Sequence, residues 1–181
     1  MRRYLRVYVP GGTCFFTVVM YRRQPILTSD AGRRCLRDAF RSVRSQWPWN
    51  VVALVLLPDH LHTVWTLSAG DADYSLRMQK IKERFTKTFL STGGCEVTPT
   101  AAERRYGRRG IWQPRFWEHA VRDEIDLKRC VDYAHWNPVK HGLVGRVVDY
   151  PWSSFHRYVR LGEYTADWGT CDPCSGFEMP E

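Results

Sequence analysis

Val51 to Leu57 reads VVALVLL, seven apolar residues without a polar interruption, and this run constrains the fold more than any other feature of the chain. Such a run suits a central strand covered on both faces, so the fold must place a layer on each side of a sheet. Pro58-Asp59 turns the chain, and His60 to Leu67 (HLHTVWTL) reads as a second strand, antiparallel to the first. Upstream, Thr13 to Met20 (TCFFTVVM) lies between Gly11-Gly12 and Arg22-Arg23 and reads as a further strand.

Helical periodicity fills the intervals. Ser29 or Asp30 can cap a helix in which Leu36, Phe40 and Val43 recur at helical spacing, ending before Pro48. Asp73 or Ser75 opens another, to about Leu90, with Met78, Ile81, Phe85 and Phe89 as its apolar stripe. Arg77, Lys80, Lys82, Arg84 and Lys87 are expected to stay solvated on that helix. Ser91 to Gly110 is a long Gly- and Thr-rich connection, and connections of that kind are usually functional or disordered. Ile111 to Trp117 is aromatic and irregular. Asp123 to Asn137 reads as a third helix with acids in its first turn, and Pro138 limits its continuation. The order β-α-β-β-α with a late helix fits an α+β fold of ferredoxin-like type. No repeat or linker divides the 181 residues, so one domain is expected, with a basic N-terminal arm and a loose, polar tail from about residue 161.

Composition narrows the class. At 44% hydrophobic residues the chain is neither disordered nor fibrous, and no stretch approaches the ~20 apolar residues that cross a bilayer. Met1-Arg2-Arg3-Tyr4-Leu5-Arg6 is not followed by an apolar run and cleavage site, so a soluble, cytoplasmic protein is expected. The six cysteines then read as reduced thiols. Cys171-Asp-Pro-Cys174 has zinc-knuckle spacing but lacks a second pair. The net charge of +8 is uneven: residues 1–50 hold ten arginines and no lysine against Asp30 and Asp38. Guanidinium offers phosphate a planar, bidentate fork. With 14% aromatic residues, this is a footprint of single-stranded nucleic-acid binding, although a basic protein with an aromatic core fits the composition equally.

Two local patterns carry chemistry. His60-Leu61-His62 sits on a strand, where residues two apart share a face, so both imidazoles can bite one metal ion. The alternative is a pair of polar residues at a strand edge, one bonded to Asp59. On the late helix, Tyr133 and Asn137 are four apart and look the same way. The Asn137 amide oxygen offers a third, hard ligand, and the Tyr133 phenol a nucleophile toward phosphorus held against the metal. Taken alone, Tyr133 reads as a half-buried helix tyrosine and Asn137-Pro138 as a helix-ending signal.

Together these patterns have the layout of the HUH single-strand nucleases and transposases. Leu57-Pro-Asp-His-Leu-His62 resembles the LPxHxH segment of the REP-associated tyrosine transposases, relatives of the smallest (IS200-like) insertion-sequence transposases. Further matches follow in order: Gly11-Gly-Thr-Cys-Phe-Phe-Thr17, Ile111-Trp-Gln-Pro-Arg-Phe-Trp-Glu-His119, Val131-Asp-Tyr133, Asn137-Pro-Val-Lys-His-Gly142 and Trp152-Ser-Ser-Phe-His156. The resemblance implies a ferredoxin-like fold with the histidine pair on a central strand. It implies Mg²⁺ or Mn²⁺ held by His60, His62 and Asn137, and Tyr133 as the nucleophile that takes the 5′-phosphate. It also implies a bacterial, nucleoid-associated enzyme acting on single-stranded DNA hairpins of the REP type.

A free phenol titrates at about 10, so the metal would act mainly by polarising the scissile phosphate. The 5′-phosphotyrosine keeps the phosphodiester energy, so a second 3′-hydroxyl can rejoin strands without ATP; no GxxxxGK[ST] phosphate loop is present, and no nucleotide cofactor is expected. Candidate DNA contacts are Arg2, Arg3 and Arg6 in the arm and Lys80, Arg84 and Lys87 on the second helix. A monomer is expected. The competing readings are a non-catalytic module that stacks bases on Phe15, Phe16 and Trp65, and an HUH replication initiator or relaxase.

Overall fold

The structure, a computed structural model, describes residues 7–174, 176, 177 and 179. Four antiparallel strands, β1 (Thr13–Val19), β2 (Trp49–Leu56), β3 (His60–Leu67) and β4 (Trp117–Ala120), form one sheet in the order β2-β3-β1-β4. Two helices, α1 (Asp30–Gln46) and α2 (Tyr74–Ser91), cover one face, and α4 (Glu124–Lys140) covers the other. Short helices α3 (Ala101–Arg105) and α5 (Phe155–Arg160) complete the set. This is the α+β, ferredoxin-like arrangement expected from the sequence. No helix among the described residues is long and apolar enough to cross a membrane.

The strand pleat sorts the two cores. In β1, Cys14, Phe16 and Val18 meet α1 and α2, while Phe15 turns to α4. In β3, Leu61, Trp65 and Leu67 point to the first layer, whereas Val64 points to the second. His60 and His62 share the parity of Val64 and therefore face α4.

The apolar run 51–57 is not central in the sheet: β2 is an edge strand, and β3 and β1 are the central pair. Its outer edge is covered instead. Leu56 N donates to the Trp152 carbonyl at 2.9 Å, Ser154 N to the Leu54 carbonyl at 2.8 Å, and Tyr158 Oη to the Val52 carbonyl at 3.0 Å. A strand whose edge and faces are all covered needs the same apolar pattern as a central one.

Four further expectations are corrected. Arg77 is 3% exposed rather than solvated: it pairs with Asp71 and donates to the carbonyls of Trp47, Pro48 and Asp73. Trp117, read as the end of an irregular stretch, starts β4 with residues 118–120; only four residues long and holding Glu118 and His119, the strand has no apolar run to announce it. Within 91–110, a capping box of Thr100 and Glu103 starts α3. The C-terminal segment is not loose: Tyr164 and Trp168 rest on Phe155, and Cys174 and Met179 are buried. Sparse aromatic and sulfur-bearing residues anchor a segment whose average composition is polar. All six cysteines are free.

Candidate active site

Helix α4 lays one stripe on the sheet: Asp126, Cys130, Tyr133 and Asn137, spaced four, three and four, are all buried. Asp123 caps its start, its side chain accepting from Asp126 N at 2.8 Å. Pro138 does not stop it. The ring has no N–H to give the Ala134 carbonyl, yet the helix runs one position past Val139 to Lys140. Leu143 N bonds back to the Pro138 carbonyl and Gly142 N to the Val139 carbonyl, each at 2.9 Å, with Gly142 at φ +66°. That is a Schellman close, and it keeps Lys140 on the helix one turn beyond the residues that face the sheet.

Across from this stripe, β3 presents His60 and His62, 1% and 0% exposed, with ring centroids 4.9 Å apart and nearly perpendicular. The Tyr133 ring meets His62 at 5.5 Å and Phe15 at 6.0 Å, both edge-on. Asn137, fully buried, follows one turn along the same face. Two imidazoles, a phenol and an amide thus collect inside an otherwise apolar layer, a costly arrangement for groups with only a packing role.

Neighbouring groups hold the histidines in place. His60 Nδ1 lies 2.6 Å from Asp59 Oδ1, so Nδ1 carries the proton of this bond and the carboxylate fixes the ring. Asp59 also meets Arg23 at 3.3 Å. Burial alone would raise the Asp59 carboxyl, but the bonds from His60 and Arg23 outweigh it and hold it below the usual range. His62 Nδ1 meets the Thr17 hydroxyl at 3.2 Å, its cross-strand partner on β1. Arg22 and Arg23 have φ of +52° and +54°, a left-handed pair costing roughly 1–2 kcal/mol per residue, and this turn brings Arg23 to Asp59.

The donor set fits a divalent cation: two imidazoles, each held through Nδ1, and one amide oxygen. Lys140 Nζ donates to Tyr133 Oη at 3.0 Å, and Tyr133 Oη donates to the Met179 carbonyl at 3.1 Å. Sequence reasoning assigned no role to Lys140 or Arg23; Asp59 entered only as the bond partner of one histidine at a strand edge, a bond that is present. Lys140 is seven residues from Tyr133, a signal hidden by taking Pro138 as the helix end.

A second metal-competent group, His119, Asp126 and Cys130, has ligand atoms within 4.8 Å of one another. Its observed role is mechanical. Asp126 Oδ2 meets His119 at 2.9 Å and accepts from Arg122 N and Nε at 3.0 and 3.1 Å, tying β4 to α4. Burial would raise the Asp126 carboxyl, but Arg122 and His119 outweigh it and lower it to about 2. Cys130 is pushed up to about 12 by burial and the Asp126 charge.

The other predicted residues do not converge here. Arg2, Arg3 and Arg6 lie outside the described residues. Lys80, Arg84 and Lys87 belong to α2, across the sheet from Tyr133. Lys80 pairs with Glu83, Arg84 binds Ser42 and Gln46 of α1, and Lys87 is exposed. Phe15, Phe16 and Trp65 are fully buried, so the base-stacking platform considered for them does not exist.

No protein-family model matches the chain. Curated relatives do. The chain is 44% identical over 169 residues to the REP-associated tyrosine transposase of Escherichia coli K12, covering 93% of this chain and 91% of that protein. It is 38% identical over 169 residues to a Haemophilus influenzae relative assigned to the same family, covering 93% and 94%. Among solved structures, a REP-associated tyrosine transposase bound to a REP hairpin superposes with a TM-score of 0.77 at 40% identity, over 100% of both chains. Sequence and fold agree: this chain belongs to the REP-associated tyrosine transposases.

Proposed function

We propose that this chain binds REP-type DNA hairpins and cleaves and rejoins single-stranded DNA through a 5′-phosphotyrosine on Tyr133. The observation that carries this reading is the contact of the Tyr133 ring with His62, beside His60 and one turn before Asn137. His60, His62 and Asn137 would hold Mg²⁺ or Mn²⁺, which when bound polarises the scissile phosphate.

Tyr133 Oη attacks phosphorus, and the bond to the 3′ oxygen breaks. The phenolic proton leaves to solvent, and the departing oxygen takes one up as a 3′-hydroxyl. Lys140 stabilises negative charge developing on the Tyr133 oxygen, because its ammonium already donates to that atom. Asp59 and Thr17 keep the imidazoles oriented. Reversal with another 3′-hydroxyl joins strands without an external energy source. The hairpin as partner is supported by the solved relative, which is bound to one. Nucleophile and proposed ligands all come from one chain, which supports a catalytic unit complete in a monomer and one catalytic domain.

The test is incubation with a labelled hairpin carrying single-stranded flanks, with Mn²⁺ or with chelator, followed by denaturing electrophoresis and peptide mapping. A metal-dependent covalent adduct on Tyr133 is expected. An adduct on another residue, or none with bound hairpin and metal, overturns the assignment.

A further inference from the structure

The arginine excess of the first fifty residues has a place in the fold. Arg33, Arg37, Arg41 and Arg44, spaced four, four and three, line one face of α1. With Arg157 of α5 they border an open groove of about 610 Å³ between α1 and the covered edge of β2. Among the described residues no acidic side chain lines it; Asp30, which pairs with Arg33, lies outside the lining. Arg37 and Arg41 are exposed, and neither is held by another described side chain. The floor is apolar, with Phe40, Leu54 and Trp152. Arg33 lies over the Trp152 ring at 3.9 Å, and Trp152 remains 37% exposed.

Like charges gathered over an apolar floor repel one another and leave aromatic surface wet, so the groove gains from a ligand that is anionic along its length and flat and apolar between charges. Unpaired nucleic acid has that chemistry: phosphates meet guanidinium forks, and bases stack on an aromatic face. A duplex keeps its base faces to itself and would leave the floor unused.

Position adds direction. The end marked by Arg33, Leu56 and Trp152 adjoins the turn 57–59: Leu56 N bonds the Trp152 carbonyl, and Leu27 N, just ahead of α1, bonds the Pro58 carbonyl at 2.9 Å. That turn leads into His60. On the other side, Ser154 Oγ, also in the groove wall, contacts His135 of α4 at 2.9 Å, two residues from Tyr133. We infer that this groove binds a run of unpaired DNA flanking the hairpin and leads it toward Tyr133. The second half of that statement rests on the function proposed above; binding of a single strand does not.

Fluorescence anisotropy tests it with an unstructured oligothymidine strand, a hairpin with a single-stranded flank and the same hairpin trimmed. R37A/R41A removes two exposed side chains and should weaken oligothymidine binding. It should also lower the slope of log affinity against log salt by about 1.4, two phosphate contacts at ~0.7 each on a single strand. Trp152→Ala should cost about tenfold in affinity, at unchanged slope. Both should weaken the flanked hairpin and spare the trimmed one. Unchanged oligothymidine affinity in both variants overturns the groove, as does equal loss on flanked and trimmed hairpins, or competition by polyglutamate but not by oligothymidine. A wild-type adduct on Tyr133 with unaffected oligothymidine binding in the variants overturns the groove alone. Weakened oligothymidine binding without any Tyr133 adduct overturns the proposed chemistry and leaves the groove standing.

Discussion

The hydroxyl of Tyr133 is bonded to the carbonyl oxygen of Met179, at 3.1 Å, so the proposed nucleophile is covered by the chain's own C-terminal segment. Met179 is buried, and Phe177 meets the Tyr133 ring edge-on at 6.2 Å. A phosphate cannot reach Tyr133 Oη in line while this contact holds. Ending the chain at Cys174 should therefore raise the rate of adduct formation. One buried hydrogen bond and one ring contact, about 1–3 kcal/mol together, predict a gain of about 5- to 150-fold. Met179→Ala should act in the same direction but less, because the bond is made by the backbone while the buried side chain helps anchor the segment. A truncated chain that folds, binds hairpin and reacts no faster would show that the segment does not limit access.

Tyr133→Phe removes only the phenolic oxygen and leaves the ring against His62 and Phe15. Cleavage and adduct should vanish while hairpin affinity stays within about fivefold, since a bond to one neutral group contributes on the order of 1 kcal/mol or less. Retained adduct in this variant would move the nucleophile elsewhere on the chain.

Lys140→Gln should slow adduct formation about 10- to 150-fold, the scale of one charge-assisted hydrogen bond of about 1.5–3 kcal/mol. Lys140→Arg should recover part of that loss, because the positive charge returns with altered geometry. Single-turnover rates at saturating metal separate this from DNA affinity. Equal rates in wild type and Lys140→Gln would remove Lys140 from the mechanism.

Calorimetric titration with Mn²⁺ examines the histidine pair. His60→Ala and His62→Ala should each cost more affinity than Asn137→Ala, because an imidazole is the stronger ligand and water replaces an amide oxygen more readily. Asp59→Asn should cost about 10- to 100-fold through the orientation of His60. Unchanged affinity in both histidine variants rules out a metal at this position.

Much of this arrangement could be read from local pattern, and the remainder shows what local pattern omits. The hairpin at 51–67 and the three long helices announce themselves through apolar periodicity, and strand parity alone puts His60 and His62 on one face. The rank of β2 in the sheet could not be read, because coverage by residues 152–158 gives an edge strand the composition of a central one. Arg77 looked solvated because two of the carbonyls that bury it, those of Trp47 and Pro48, sit some thirty positions away in sequence. Lys140 was hidden behind a proline that usually ends helices, and Arg23 behind a left-handed turn that no residue type there advertises. Each depends on proximity created by folding, whereas the histidine pair and the Tyr133–Asn137 spacing do not.

The link between β4 and α4 gives a pH dependence of known sign. Asp126 is 2% exposed, and its carboxyl falls from the ordinary 3.8 to about 2 because Arg122 and His119 outweigh the effect of burial. A carboxyl with a folded value below its unfolded one adds stability that is fully present above about 4 and lost as pH falls through about 2. The gain is about 2 kcal/mol at most, since Arg122 is largely exposed and its share is screened by solvent. Asp126→Asn should therefore be less stable than wild type at pH 6, with the difference shrinking between about pH 4 and pH 2. Urea unfolding of both proteins across that range measures it. A difference that stays constant down to pH 2 would mean that the carboxylate charge contributes nothing and that the contact holds α4 on β4 by shape alone.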